Sequence, residues 1–171
     1  MKKLLIALMI FLIGIVLFMP KEHLFFTLRK YLKKEHIEIL SSSLSDRWLY
    51  LNMDDALLIY DGIESLEAKR VIIKPWIFYN QIEAKDLLPV KSLRNILNIK
   101  ADDLKITQNI FKPMIANLVA DGKFGEISGY IDLKKRTIHL LLRANKGFEN
   151  SKVVRDYFRK SKEGLVYESN F

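Results

Sequence analysis

Gly125-Glu126-Ile127-Ser128-Gly129-Tyr130-Ile131-Asp132-Leu133-Lys134-Lys135-Arg136-Thr137-Ile138-His139-Leu140-Leu141-Leu142-Arg143 is the stretch that decides the fold class. It alternates with a period of two on both sides of a short basic turn, as a hairpin does. Ile127, Ile131 and Leu133 share one face with Gly125 and Gly129; Glu126, Ser128, Tyr130 and Asp132 share the other. Lys134-Lys135-Arg136 makes the turn. Ile138, Leu140 and Leu142 return against Thr137, His139, Leu141 and Arg143. An antiparallel pair with one apolar and one wet face belongs to a sheet that buries a single side.

The same signal recurs upstream. Ile37 and Ile39 alternate with Glu38, and Leu49, Leu51 and Met53 alternate with Tyr50 and Asn52. Ala56 to Tyr60 continues as strand to the turn at Asp61-Gly62. Leu66 and Ala68 then alternate with Glu67 and Lys69, and Val71-Ile72-Ile73 runs on to Pro75. A further strand spans Trp76 to Lys85 with Phe78, Ile82 and Ala84 on one face, and another spans Ile96 to Thr107 with a bulge at Asp102-Asp103. Ile110 to Ala120 reads as a short helix carrying Ile115, Leu118 and Val119, with Pro113 in its first turn. Downstream, Ser151 to Lys162 reads as a basic helix with Ser151 as N-cap, followed by a last strand from Leu165 to Phe171. The expected fold is mainly β: a curved, mostly antiparallel sheet with short edge helices.

At the other end of the chain, Leu4 to Met19 is a run of sixteen residues without a polar side chain, preceded by Lys2 and Lys3 and followed by Pro20. As a helix it is about 24 Å long against a hydrocarbon core of about 30 Å. A cleaved signal peptide has a similar core but needs small residues at its exit. Here Val16-Leu17-Phe18-Met19 stands instead, so we expect an uncleaved transmembrane signal anchor over 1–20 with ends at Leu4 and Met19. Counted strictly, the flanking charges lean toward an N-terminus outside the cytoplasm, because Lys21, Arg29, Lys30, Lys33 and Lys34 follow the run. The short Lys-Lys start before a long domain still favours a cytoplasmic N-terminus. Lys21 to Glu35 reads as an amphipathic helix with Leu24, Leu28, Tyr31 and Leu32 in a stripe that Phe25 widens, giving a juxtamembrane segment over 21–36 and a β-rich domain over 37–171. That makes a single-pass membrane protein with its C-terminal domain outside the cytoplasm.

The chain has no cysteine, which removes disulfides, thiolate metal sites and thiol nucleophiles. Its net charge is +8, and between Lys134 and Lys162 ten basic residues face two acids, a balance that suits anionic lipid or an acidic protein surface as well as plain solvation. His23, His36 and His139 show no metal-ligand spacing, His36 with Glu38 is a lone pair, and Asp54, Asp55 and Asp61 lack EF-hand spacing. No nucleophile elbow or phosphate loop is present. We expect no enzyme, no metal and no cofactor. Trp48, Tyr50, Trp76, Phe78 and Tyr79 resemble a stacking platform in composition, but such aromatics more often serve cores and interfaces, and nucleic acid is not the expected partner.

Leu57-Leu58-Ile59-Tyr60-Asp61-Gly62, Ala68-Lys69-Arg70-Val71-Ile72-Ile73-Lys74-Pro75 and Gly125 to Leu133, taken with one N-terminal span, resemble the type II secretion protein N (GspN) family. That family is itself similar to AsmA-like envelope proteins. The resemblance covers roughly Asp46 to Phe171. It implies a single-pass inner-membrane protein with a periplasmic, curved β-sheet domain, an accessory structural component of a type II secretion-like, DNA-uptake or pilus-like assembly, with other envelope proteins as partners. The AsmA-like side implies instead a module that binds or transfers lipid along an apolar groove. On either reading Leu66, Ala68, Phe78, Ile82, Ile127, Ile131 and Leu140 are the expected core or ligand face. Trp48, Trp76, Lys134, Lys135 and Arg136 are the expected partner surface, and membrane lipid holds the anchor.

Overall fold

The hairpin forms as its alternation dictates. In the computed structural model, which describes residues 2–76, 78–94, 99–149, 151–162 and 164–170, β8 (Gly125–Asp132) pairs with β9 (Thr137–Ala144) so that Ile127 faces Leu142 and Ile131 faces Ile138. Outward from it, β7 (Lys112–Gly122), β6 (Ala101–Asn109), β5 (Tyr79–Pro89), β4 (Ile63–Pro75) and β3 (Leu51–Tyr60) follow in a meander. Both β1 (Ile37–Leu40) and β2 (Ser43–Asp46) pair with β3. On the other side β11 (Gly164–Asn170) pairs with β9 and carries β10 (Arg159–Ser161) at the edge. All pairings are antiparallel, within one sheet of eleven strands.

Helices are few and peripheral: α1 (Lys2–Phe18), α2 (Lys21–Lys34), the single turn α3 (Lys91–Arg94) and α4 (Lys152–Tyr157). The mainly β fold with short helices is as expected. Among the described residues no helix is long and apolar enough to cross a membrane. The transmembrane helix expected between Leu4 and Met19 therefore finds no support in the fold: α1 ends at Phe18 after 17 residues, about 25 Å.

One expectation fails on period, and two helices differ in extent or in the side they bury. The segment from Ile110 to Ala120 is strand, not helix. Its Ala116, Leu118 and Ala120 alternate with Asn117, Val119 and Asp121, and pairing with β6 and β8 on both sides fixes that alternation. The basic helix stops at Tyr157 because Phe158 is extended (φ −108°, ψ 141°) and leads into β10; its cap is as expected, the Ser151 hydroxyl accepting from the Val154 amide at 3.3 Å. In α2 the stripe of Leu24, Leu28 and Tyr31 stays exposed, and the buried apolar side chain is Phe25, against Leu51, Met53, Val71 and Ile73. Phe78 lies in the β4–β5 connection and is exposed rather than part of the apolar face. Ile96, Glu163 and Phe171, read as parts of flanking elements, lie outside the described residues.

Asp61 and Gly62 close the β3–β4 hairpin with positive φ (50° and 75°), the two-residue turn that matches strand twist. Positive φ recurs inside the sheet at Asp55 and Asp86. There the ladder skips a pair: Asp54 faces Arg70 and Ala56 faces Ala68; Lys85 faces Asp103 and Leu87 faces Ala101. The skipped positions, Asp55, Lys69, Asp86 and Asp102, form a line across β3 to β6. Register is kept across these skipped pairs; only against β7, where Ala101 faces Gly122 and Asp103 faces Asp121, does one strand carry an extra residue at Asp102, a bulge that bends the strand and increases its twist. The line is stapled by charge on its outer side. Lys100 Nζ reaches Asp86 at 2.6 Å and Asp102 at 2.9 Å, and Arg70 Nε reaches Asp54 at 3.3 Å.

Candidate functional site: the apolar face of the sheet

Side chains paired in register share a face, so the pairings can be followed across the sheet. One row runs Leu51, Ile73, Ile82, Ile106, Leu118, Gly129, Leu140, Tyr167. The next runs Met53, Val71, Ala84, Leu104, Ala120, Ile127, Leu142, Leu165. Beyond the line of skipped pairs a third holds Ala56, Ala68, Leu87, Ala101, Gly122, Gly125 and Ala144. Apart from the Tyr167 hydroxyl, no polar side chain interrupts these rows.

The opposite face has two polar rows on either side of a mixed one, Asn52, Ile72, Glu83, Lys105, Val119, Ser128, Leu141 and Val166. Asp54, Arg70, Lys85, Asp103, Asp121, Glu126 and Arg143 form one polar row, and Lys74, Gln81, Thr107, Asn117, Tyr130, His139 and Glu168 the other. Neighbouring charges pair: Lys74 Nζ with Glu83 at 2.8 Å, Lys85 with Asp103 at 3.6 Å, His139 Nδ1 with Glu168 at 2.8 Å, and Arg94 with Glu67. Hydrogen bonds hold three carboxyls below their ordinary range: Asn52 and Ser43 on Asp54, Lys74 on Glu83, Lys100 on Asp86. The two carboxylates in turn raise Lys100. This face is a self-neutralised surface. Among the described residues no group of three or more metal-ligating side chains is assembled on it.

Cover on the apolar face is uneven. At one end Phe25 of α2 sits on Leu51 and Met53. At the other, Phe124, Phe148, Val154 and Phe158 cover Ala101, Ala120, Leu142 and Leu165. At the bend Ala56, Ala68 and Ala84 pack under Val71, Leu87 and Leu104. Ile82, Ile106, Ile131, Ile138 and Leu140 belong to none of these clusters and are each only half-buried. They form an open apolar strip between the α2 end and the α4 end.

Of the residues expected on this face, Ala68 is buried, and Leu66, Ile82, Ile127, Ile131 and Leu140 are half-buried on it; Phe78 is not on it. Ile106, at the centre of the strip, and Leu118, packed against the α4-end cluster, are not among the expected face residues. Leu118 was assigned to a helix. Ile106 was read as strand but not weighed as a face residue, although Leu104-Lys105-Ile106-Thr107 alternates plainly. The expected partner residues Trp48, Trp76, Lys134, Lys135 and Arg136 are all exposed, in three connections at one end of the sheet.

Alongside the first of those connections lies α1. Met9, Leu12, Ile13 and Leu17 line an apolar cavity of about 320 Å³ together with Leu49, Trp76, Phe78 and Tyr79. The junction between α1 and α2 is pinned to the sheet by Asp46. Its Oδ2 accepts from the Lys21 amide at 3.0 Å and its Oδ1 lies 3.5 Å from Lys21 Nζ, a buried ammonium that also donates to Met19 O at 3.2 Å. Comparison of the chain with protein-family models, with curated proteins and with solved structures gives no match.

Proposed function

We propose that the protein is a membrane-held module that binds the acyl chains of lipid, or a ligand equally apolar, on the open strip of its sheet. One observation carries this reading: apolar rows cross eight strands without a charged side chain, and helices cover only their two ends. Exposed apolar surface of that extent marks a binding site on a soluble face. The ligand class follows from the lining. Ile82, Ile106, Ile138 and Leu140 offer no directional partner, so recognition rests on apolar burial, worth about 0.8 kcal/mol per methylene removed from water.

On this reading α1 buries its all-round apolar surface in the inner membrane, spanning it only where the bilayer thins to meet a helix of this length. The sheet domain lies on the periplasmic side. The AsmA-like side of the family resemblance agrees with the same assignment. No catalytic step is assigned.

A second reading, an accessory component of a secretion-like assembly, draws support from the sheet's two free edges at β1 and β10, where another envelope protein's strand could add. Native mass spectrometry of the purified full chain separates the two. Lipid-sized adducts that persist in the wild type and disappear in Ile82→Glu support the binding module. A bare chain in gentle detergent, with strand-edge variants abolishing co-purification of envelope proteins, supports the assembly component.

A further inference from the structure

In an antiparallel meander alternate connections emerge at the same end. Here the β2–β3, β4–β5, β6–β7 and β8–β9 connections share the end next to α1, and hydrogen bonds stitch them side by side. Trp76 Nε1 donates to Leu49 O at 3.4 Å, the Ile110 amide to Phe78 O at 3.1 Å and the Leu133 amide to Met114 O at 2.8 Å. Each connection leaves large apolar side chains in the open: Trp48 (79% exposed), Trp76 (47%), Phe78, Phe111 (83%), Met114 and Leu133. Exposed Arg47, Lys112, Lys134, Lys135 and Arg136 stand among them. The nearby acids are engaged, Asp46 with Lys21 and Asp132 with the amides of Lys134 and Lys135.

We infer that this row of loop tips docks into the headgroup layer of an anionic lipid bilayer and stands the sheet on the membrane. Two features single out a bilayer rather than a protein. The row sets aromatic tips beside cations that form no ion pair among the described residues, the composition that settles at a membrane interface, where indole rings sit at headgroup depth and basic chains meet anionic lipid. It is also continuous with α1: Trp76, Phe78 and Tyr79 line the same apolar cavity as Met9 to Leu17, so they lie at the level of the helix that enters lipid. Docked in this way, the open strip ends at the bilayer, because Ile131 and Ile138 are the apolar-face residues nearest the β8–β9 tip. Lipid then reaches the strip without crossing water. The inference rests on α1 as the membrane attachment but not on the strip binding lipid.

The chain's only two tryptophans are both in the row, so native fluorescence reads it directly. The full chain is reconstituted in vesicles of phosphatidylethanolamine and phosphatidylglycerol containing lipid brominated high on the acyl chain. Trp48→Phe and Trp76→Phe each leave a single reporter. Tyr60→Trp, in the background lacking both, reports the β3–β4 turn at the opposite end. The expected result is blue-shifted emission from Trp48 and Trp76, quenched by the brominated lipid and shielded from aqueous iodide, with the reverse at position 60. Replacing Lys134, Lys135 and Arg136 with Glu should weaken the lipid quenching of Trp76.

Water-like emission and full iodide access at Trp48 and Trp76 would overturn the inference. So would equal lipid quenching at position 60, which means adsorption without orientation, and so would failure of the chain to float with these vesicles. Loss of the lipid adduct in mass spectrometry with the quenching pattern intact would overturn the strip's role and leave the docking row standing.

Discussion

Phe25→Ala should destabilise the domain by about 3–5 kcal/mol, the range for emptying a buried phenylalanine site. Phe25 is 4% exposed and is the only large apolar side chain that α2 buries; Leu51 and Met53 beneath it are 1% exposed each. Nothing adjacent can fill the space, because Leu51 and Met53 are held in register by β2 and β4 on either side. The loss is a large share of the about 5–15 kcal/mol that stabilises a typical domain. In a chain of this size it should lower the melting temperature by roughly 6–20 °C. Urea unfolding followed by circular dichroism gives the magnitude. Amide exchange gives the place: protection should fall first in β1 to β4 while β8 and β9 keep theirs. Leu28→Ala is the control, exposed on the same helix and expected to change stability by no more than about 0.5 kcal/mol. Equal effects of the two substitutions would mean that α2 docks through the stripe read from sequence and that the structural account of the helix is wrong.

Asp86→Ala should cost more than Asp86→Gly, because position 86 holds φ +51°, where a β-carbon costs about 1–2 kcal/mol and glycine nothing, while both lose the Lys100 pair. The charged face should make the domain acid-labile. Carboxyls held below their unfolded values contribute stability above those values and lose it as pH falls through the folded ones. Asp54, Glu83 and Asp86 should therefore leave stability flat from neutral pH to about 5 and falling below about 4; a fall beginning above pH 6 would contradict this. Ile131→Asp places a carboxylate among apolar neighbours and should destabilise by at least about 2 kcal/mol, whereas His139→Asp on the charged face should leave the fold intact, though it loses the Glu168 pair. Equal tolerance in thermal melts would mean the register is shifted by one.

The sheet was legible where the alternation was strict and turn residues bounded it. Gly125 to Arg143 and the Asp61-Gly62 turn were read residue by residue. Asp102-Asp103 was read as a bulge. Reading failed where two periods fit the same residues. Ile115, Leu118 and Val119 satisfy a helical spacing, but Ala116, Leu118 and Ala120 satisfy a strand, and only the partners β6 and β8 choose between them. The helix α2 is legible as a helix, but not which part of its apolar stripe is buried. Its broad apolar content leaves several faces that could be buried, and the Asp46 tie at Lys21 fixes the rotation that turns Phe25 inward. The site was legible in part. Leu66, Ala68, Ile82, Ile127, Ile131 and Leu140 stand on one face as expected. That the face stays open depends on where α2 and α4 end, and no local pattern states that.

The central claim is that lipid occupies the apolar face and not the charged one. A photo-reactive diazirine side chain placed at Ile106, and separately at its neighbour Lys105, compares the two faces at the same point of the same strand. After irradiation of the full chain in native membranes, mass spectrometry should find a phospholipid adduct at position 106 and none at 105. Equal labelling at both positions, or labelling at 105 alone, would contradict the account.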